Sequence, residues 1–138
     1  GGVGLAAIRV CLAYGLEVFT TVGSQAKRDF LLQTFSQLKA DNIGNSRDTS
    51  FEKMIMLRTE GKGVDYVLNS LSDDKLQASL RCLGKYGKFL EIGKYDMAND
   101  TKLGLHRFLR ALSFTAVLVD FLFTAPPEEK AVLKAMLD

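Results

Sequence analysis

Short runs of β-branched and aromatic residues alternate with longer amphipathic stretches along the whole sequence, about five times over, with brief connections. That pattern leaves few architectures open. A strand, a helix and a further strand in short succession pack back onto one parallel sheet, and successive helices then cover both of its faces. The strands are expected at residues 17–22, 43–44, 64–69, 88–92 and 113–119. Helices are expected at 5–14, from Gln25 to about Leu38, from the capping box Thr49-Ser50-Phe51-Glu52 to about Thr59, behind a Ser72 cap with Leu76, Leu80 and Leu83, around 105–112, and from Pro126 onward. On the second of these helices Phe30, Leu31, Thr34, Phe35 and Leu38 recur at helical spacing and are expected on one face.

The sequence opens directly on Gly1-Gly2-Val3-Gly4, which runs into the apolar helix of Leu5 to Tyr14. Gly1 and Gly4 have the spacing of the last two glycines of the G-x-G-x-x-G fingerprint, where missing β-carbons let backbone approach a pyrophosphate and let the helix pack closely on its sheet. Such a turn hangs from a buried strand, and here none precedes it. The expectation is an α/β, Rossmann-type doubly wound parallel sheet, truncated at its N-terminus with the first strand absent. Residues 1–138 would then be a partial dinucleotide-binding domain of a larger multidomain enzyme.

Composition excludes several classes of function. With 18 basic and 16 acidic residues the net charge is +2, and no basic tract of the kind that tracks a phosphate backbone occurs, so nucleic acid and anionic membranes are not expected partners. No apolar run approaches a bilayer span. Cys11 and Cys82 lie far apart and are read as buried free thiols of a reducing compartment, in keeping with a cytoplasmic protein. One histidine, His106, and two separated cysteines supply neither a clustered zinc site nor a nucleophile with its base, and no P-loop motif is present.

In a doubly wound sheet ligands bind outside the carboxyl ends of the strands, so the residues standing there carry the functional reading. The strand at 17–22 ends without the acid that accepts from the ribose hydroxyls of NAD. Ser24, Lys27 and Arg28 follow instead, a hydroxyl and two cations that suit the 2′-phosphate of NADPH. Cations near a helix N-terminus are unfavourable unless an anion joins them, which supports that reading over one of solvated surface residues. Ser46 and Arg47 follow the short strand at 43–44 and can reach the adenosine side. Asn69 and Ser70 end the strand at 64–69, where they can bond the ribose or position the nicotinamide. Gly93 lets backbone lie against the cofactor, and Lys94 would stand beside the reacting ring. Asp120 is a lone acid bracketed by Val119 and Phe121, and so must be paired or carry a raised pKa.

Together, Val18-Phe19-Thr20-Thr21-Val22-Gly23-Ser24, Lys27-Arg28, the block from Asn45 to Glu52, Gly61-Lys62-Gly63-Val64-Asp65, Val67-Leu68-Asn69-Ser70-Leu71 and Phe89-Leu90-Glu91-Ile92-Gly93-Lys94 closely resemble the enoyl reductase domain of animal-type fatty acid synthase. That domain belongs to the zinc-independent medium-chain dehydrogenase/reductase superfamily, whose polyketide synthase members are similar. The likeness covers nearly the whole chain and weakens after about Thr124. It implies NADPH-dependent reduction of a trans-2-enoyl thioester borne by an acyl carrier protein, with hydride added at the β-carbon and a proton at the α-carbon. It places the candidate proton donors on Lys94 and Asp120, expects other domains in the same polypeptide, and implies a homodimer formed through the nucleotide folds, here by Phe114 to Phe123. The alternatives are the enoyl reductase of a reducing polyketide synthase, a quinone oxidoreductase, and, in another class, a vestigial structural nucleotide-fold domain.

Overall fold

The computed structural model describes residues 2–118 and 126–128. Its elements follow the expected alternation: α1 (Gly2–Ala13), β1 (Thr20–Val22), α2 (Gln25–Thr34), β2 (Ile43–Asn45), α3 (Ser50–Arg58), β3 (Val64–Asn69), α4 (Asp74–Arg81), β4 (Leu83–Glu91), α5 (Tyr95–Ala98) and β5 (Ser113–Ala116). Single 3-10 turns at Ala40–Asn42 and Leu105–Arg110 complete the chain order. Pro127 and Glu128 are helical, and the rest of that expected helix lies outside the described residues.

All strand pairings are parallel. β1 pairs with β2, Thr20 opposite Ile43 and Val22 opposite Asn45, and β3, β4 and β5 form a second sheet in that order. The two sheets, β2-β1 and β3-β4-β5, have the parallel strand orders of a doubly wound fold, and among the described residues no strand pairs with both β1 and β3. This is the architecture expected for a Rossmann-type sheet without its first strand.

Helices hold the two sheets together where hydrogen bonds do not. Phe51 and Ile55 of α3 pack with Ala78 of α4 and with Cys82, and Phe19, ahead of β1, joins the same cluster. The Arg81 guanidinium donates to both carboxylate oxygens of Glu52 at 2.6 and 3.0 Å, tying α4 to α3. A second cluster sets Ile8 of α1 on Leu31, Phe35, Leu38 and Ile43. The third, under β3-β4-β5, contains Leu76, Leu80, Leu83 and Phe89, and there the Phe89 ring stacks on Phe114 with centroids 5.2 Å apart.

Several local expectations are corrected. β1 is shorter than the run 17–22, and α2 stops at Thr34, its core contacts made by Leu31 with Phe35 and Leu38 beyond its end, while Phe30 is exposed. The capping box at Thr49 does not form. Glu52 is drawn to Arg81, Thr49 is the N-cap without a side-chain bond, and Asp48 ahead of it closes a local turn, its Oδ1 accepting from both the backbone N–H and the hydroxyl of Ser50. Ser72 is displaced as the cap of α4 by Asp73, which adopts φ 56° with its N–H turned to the Asp96 carboxylate. Gly84 and Gly87 form no separate turn but a break within one long strand, where the register of β4 against β3 shifts. The helix expected near 105–112 is a 3-10 turn, and part of the loop after Gly93 is helical. Cys82 is buried as expected, but Cys11 is only half-buried.

Candidate functional site

The first half of the site lies at the carboxyl ends of β1 and β2, where a cleft of about 430 Å³ opens between the starts of α2 and α3, lined among others by Gly23, Ser24, Arg28, Asn45 and Ser50. Ser24 begins α2 as its N-cap, its hydroxyl accepting from the Lys27 N–H at 3.3 Å. Lys27 stands in the exposed first turn. Arg28 has a different task from the one its sequence position suggests: its guanidinium donates to the carbonyls of Ile43 at 2.6 Å and Ala40 at 2.7 Å, clasping the entry to β2. Arg47 reaches the cleft from the other side and donates from Nε to the Gly23 carbonyl at 2.6 Å. Gly23 is closely approached, since a Cβ there would lie 3.3 Å from Arg47 Nε and 3.4 Å from Ser46 Oγ. Of the cations, Arg28 lines the cleft, Arg47 is tied to its edge at Gly23 and Lys27 follows Ser24 in the first turn of α2, while the Ser46 N–H donates to the Val22 carbonyl at 2.9 Å.

The glycine turn behaves otherwise. Gly2, Val3 and Gly4 are already within α1 and exposed, and a Cβ at Gly2 or Gly4 would meet nothing within 4 Å. The close helix-on-sheet packing expected of these glycines is therefore absent among the described residues, because no strand of the described chain lies against them. Gly1 is outside the described residues.

The second half lies at the carboxyl ends of β3 and β4. Asn69 is buried, and its Nδ2 donates to Glu91 Oε2 at 2.6 Å and to the Leu71 carbonyl at 2.7 Å, while its Oδ1 accepts from the Leu71 N–H at 3.3 Å. Glu91, equally buried at the end of β4, uses its other oxygen to accept from the Gly93 N–H at 2.8 Å. Burial pushes the Glu91 carboxyl pKa up, while the bonds from Asn69 and Gly93 act in the opposite direction. Gly93 has no room for a side chain: a Cβ would lie 2.8 Å from Glu91 Oε1 and 3.2 Å from the Ser70 carbonyl. A second carboxylate, that of the buried Asp96, accepts from the Asp73 N–H at 3.1 Å and the Thr101 hydroxyl at 2.8 Å. The segments after β3 and after β4 are tied together twice. Ser70 and Lys94 stand exposed on either side of these ties. Asp120 lies outside the described residues.

Sequence reasoning overlooked Glu91 and Asp96. The signal for Glu91 was present, since an acid between Leu90 and Ile92 is as isolated in an apolar run as Asp120 is between its neighbours.

Parallel strands carrying cations at one pair of carboxyl ends and an amide, a hydroxyl, a close-packed glycine and a lysine at the next define a nucleotide-binding α/β subdomain. Residues 2–137 match the family described as zinc-binding dehydrogenase, and the chain belongs to that family. Among curated relatives it is 46% identical over 129 residues to the highly reducing polyketide synthase anuA of Penicillium roqueforti, covering 94% of this chain and 6% of that protein. It is 45% identical over 136 residues to the lovastatin diketide synthase lovF of Aspergillus terreus, covering 99% of this chain and 5% of that one. The chain thus spans about one twentieth of these large synthases. Among solved structures, the nucleotide-binding subdomain of the enoylreductase domain of PpsC from Mycobacterium tuberculosis superposes with a TM-score of 0.84 at 36% identity, over 99% of this chain and 75% of that one. The CurK enoyl reductase gives 0.74 at 34% identity, over 99% of this chain and 39% of that one.

These findings place the chain among the enoyl reductase nucleotide folds of this superfamily. They correct the preference for fatty acid synthase, because these relatives are polyketide synthases. NADPH is in keeping with the fold and with the cations at the end of β1. Among the described residues no group of three or more His, Cys, Asp or Glu side chains is placed to hold a metal ion. Nor, among the described residues, is any helix long and apolar enough to cross a membrane.

Proposed function

We propose that this chain is the NADPH-binding part of an enoyl reductase in a reducing polyketide synthase, acting on a trans-2-enoyl thioester carried by an acyl carrier domain. The observation that carries the reading is the likeness, over 99% of the chain and at 36% identity, to a nucleotide-binding subdomain of an enoylreductase. The same chemistry in a fatty acid synthase is the runner-up, and the polyketide synthase relatives weigh against it.

Bound NADPH supplies a hydride to the β-carbon of the enoyl group. The residues of this chain hold and orient it. The first N–H groups of α1, at Gly2, Val3 and Gly4, face the pyrophosphate, and Gly1 is assigned to the same turn from the sequence alone. Ser24, Lys27 and Arg47, with Ser46 beside them, receive the adenosine end and its 2′-phosphate, Arg28 fixing the edge of their cleft. Asn69 and Ser70 meet the nicotinamide end, beside the Gly93 backbone that Glu91 holds. Hydride addition leaves negative charge on the thioester enolate, which the Lys94 ammonium stabilises, and Lys94 or Asp120 delivers the proton to the α-carbon. Self-association proceeds along β5, although Phe114, stacked on Phe89, belongs to the core rather than to that surface.

The test is NADPH consumption on a trans-2-enoyl thioester by the full-length polypeptide. Lys94→Ala is expected to lower kcat by about 100-fold or more, the usual scale of a lost proton donor, with NADPH still bound. Full turnover by Lys94→Ala would remove the lysine from the mechanism, and the absence of any enoyl reduction by the native protein would overturn the function.

A further inference from the structure

Glu91 is a carboxylate that the proposed chemistry leaves without a task, and yet it is 2% exposed at the carboxyl end of a central strand. A buried acid is costly unless its oxygens are bonded, and both of these are. Oε2 takes the Asn69 amide from β3, and Oε1 takes the Gly93 N–H one residue ahead of Lys94. The Ile92 N–H bonds the Asn69 carbonyl at 2.9 Å, so backbone and side chain fasten the same two strand ends. Glu91 has almost no exposed surface to offer a ligand, which leaves it one way to serve the site: through the residues it holds.

We infer that Glu91 is a positioning residue, whose carboxylate fixes the Asn69 amide and the Gly93-Lys94 backbone in the arrangement that sets the nicotinamide end of the cofactor against the substrate. Only a carboxylate fits, because both neighbours present donors. A glutamine turns its own N–H₂ toward one of them. The Asn69 amide in turn is locked by Leu71, so it cannot rotate to accept without losing that bond. The adenosine end is held by other strands, and its share of the binding energy does not depend on Glu91.

This inference rests on the reductase reading, and the experiment separates the two. In the full-length polypeptide, Glu91→Gln is expected to lower kcat by about tenfold or more while the Kd for NADPH moves by less than about threefold, roughly the scale on which lost positioning, as opposed to lost binding, is read. The pair Glu91→Gln with Asn69→Asp restores a donor–acceptor match between the strand ends, the introduced glutamine donating to the new carboxylate on β3 and accepting from Gly93; that carboxylate no longer donates to the Leu71 carbonyl, so the recovery is partial. That double variant is expected to recover kcat above Glu91→Gln alone. An unchanged kcat in Glu91→Gln overturns the inference. So does a loss of kcat, NADPH affinity and melting temperature together with no recovery in the double variant, which would make Glu91 a packing residue only. A native protein that binds NADPH and turns over while Glu91→Gln matches it leaves the reductase reading standing, whereas native protein that neither binds nor turns over refutes both.

Discussion

Arg28 and Glu91 show how far a residue's chemistry can be read from its place in the chain. A cation after a strand end points to a phosphate, the role proposed here for Lys27. Arg28 sits one residue further round the helix, where the carbonyls of Ala40 and Ile43 come within reach of its guanidinium, a contact no sequence spacing announces because the partners lie 12 and 15 residues away. Arg28→Ala should therefore act on stability, at about 1–2 kcal/mol for two lost charge-assisted bonds, and thermal melting checks it. Cys82 gives a pH-dependent prediction. Burial, with Glu52 adding to it, pushes its thiol up to about 12 from 9.0, so the native protein holds the proton that the unfolded chain releases. This contribution to stability is complete below about pH 9 and is lost as pH rises toward about 12. Unfolding midpoints across that range should fall in the native protein and fall less in Cys82→Ala, and the native thiol should resist alkylation at neutral pH.

Helices and strands were the most legible level, because hydrophobic period and the glycines between elements mark them locally. What escaped was which polar group serves which end. Glu52 matches a capping box by spacing, but its carboxylate meets Arg81 on α4, 29 residues on, and that pull outweighs a local cap. Asp48 bonds the first residue of α3 instead, and the bonds from Ser50 hold its carboxyl pKa below the ordinary carboxylate value. Because the Glu52–Arg81 pair is partly shielded and joins α3 to α4, either Glu52→Ala or Arg81→Ala should cost about 1–2 kcal/mol, read from the urea midpoint. Gly63 enters β3 at φ +79°, and a Cβ there would lie 2.5 Å from the Cys82 carbonyl. Gly63→Ala should destabilise by on the order of 3 kcal/mol or prevent folding, since backbone rather than a flexible side chain blocks it.

At the level of the whole chain, the parallel sheets β2-β1 and β3-β4-β5 were foreseeable, because strands and helices alternate along the sequence in the order of a doubly wound fold. Glycine packing was not foreseeable, since it depends on a strand the described chain does not contain. Nor could the sequence alone separate polyketide synthase from fatty acid synthase. Both demand the same hydride acceptor, the same charge at the enolate and the same cofactor phosphate, so the site residues are under the same chemical constraint in each. The claim on which the rest depends is that the cleft at the end of β1 receives the 2′-phosphate of NADPH. It is tested most directly by fluorescence titration of the full-length polypeptide with NADPH and NADH, native and Lys27→Ala. Tighter binding of NADPH, by about tenfold or more, with the preference largely erased in Lys27→Ala, is the predicted result. Equal affinity for the two cofactors, or no binding of either, would contradict it.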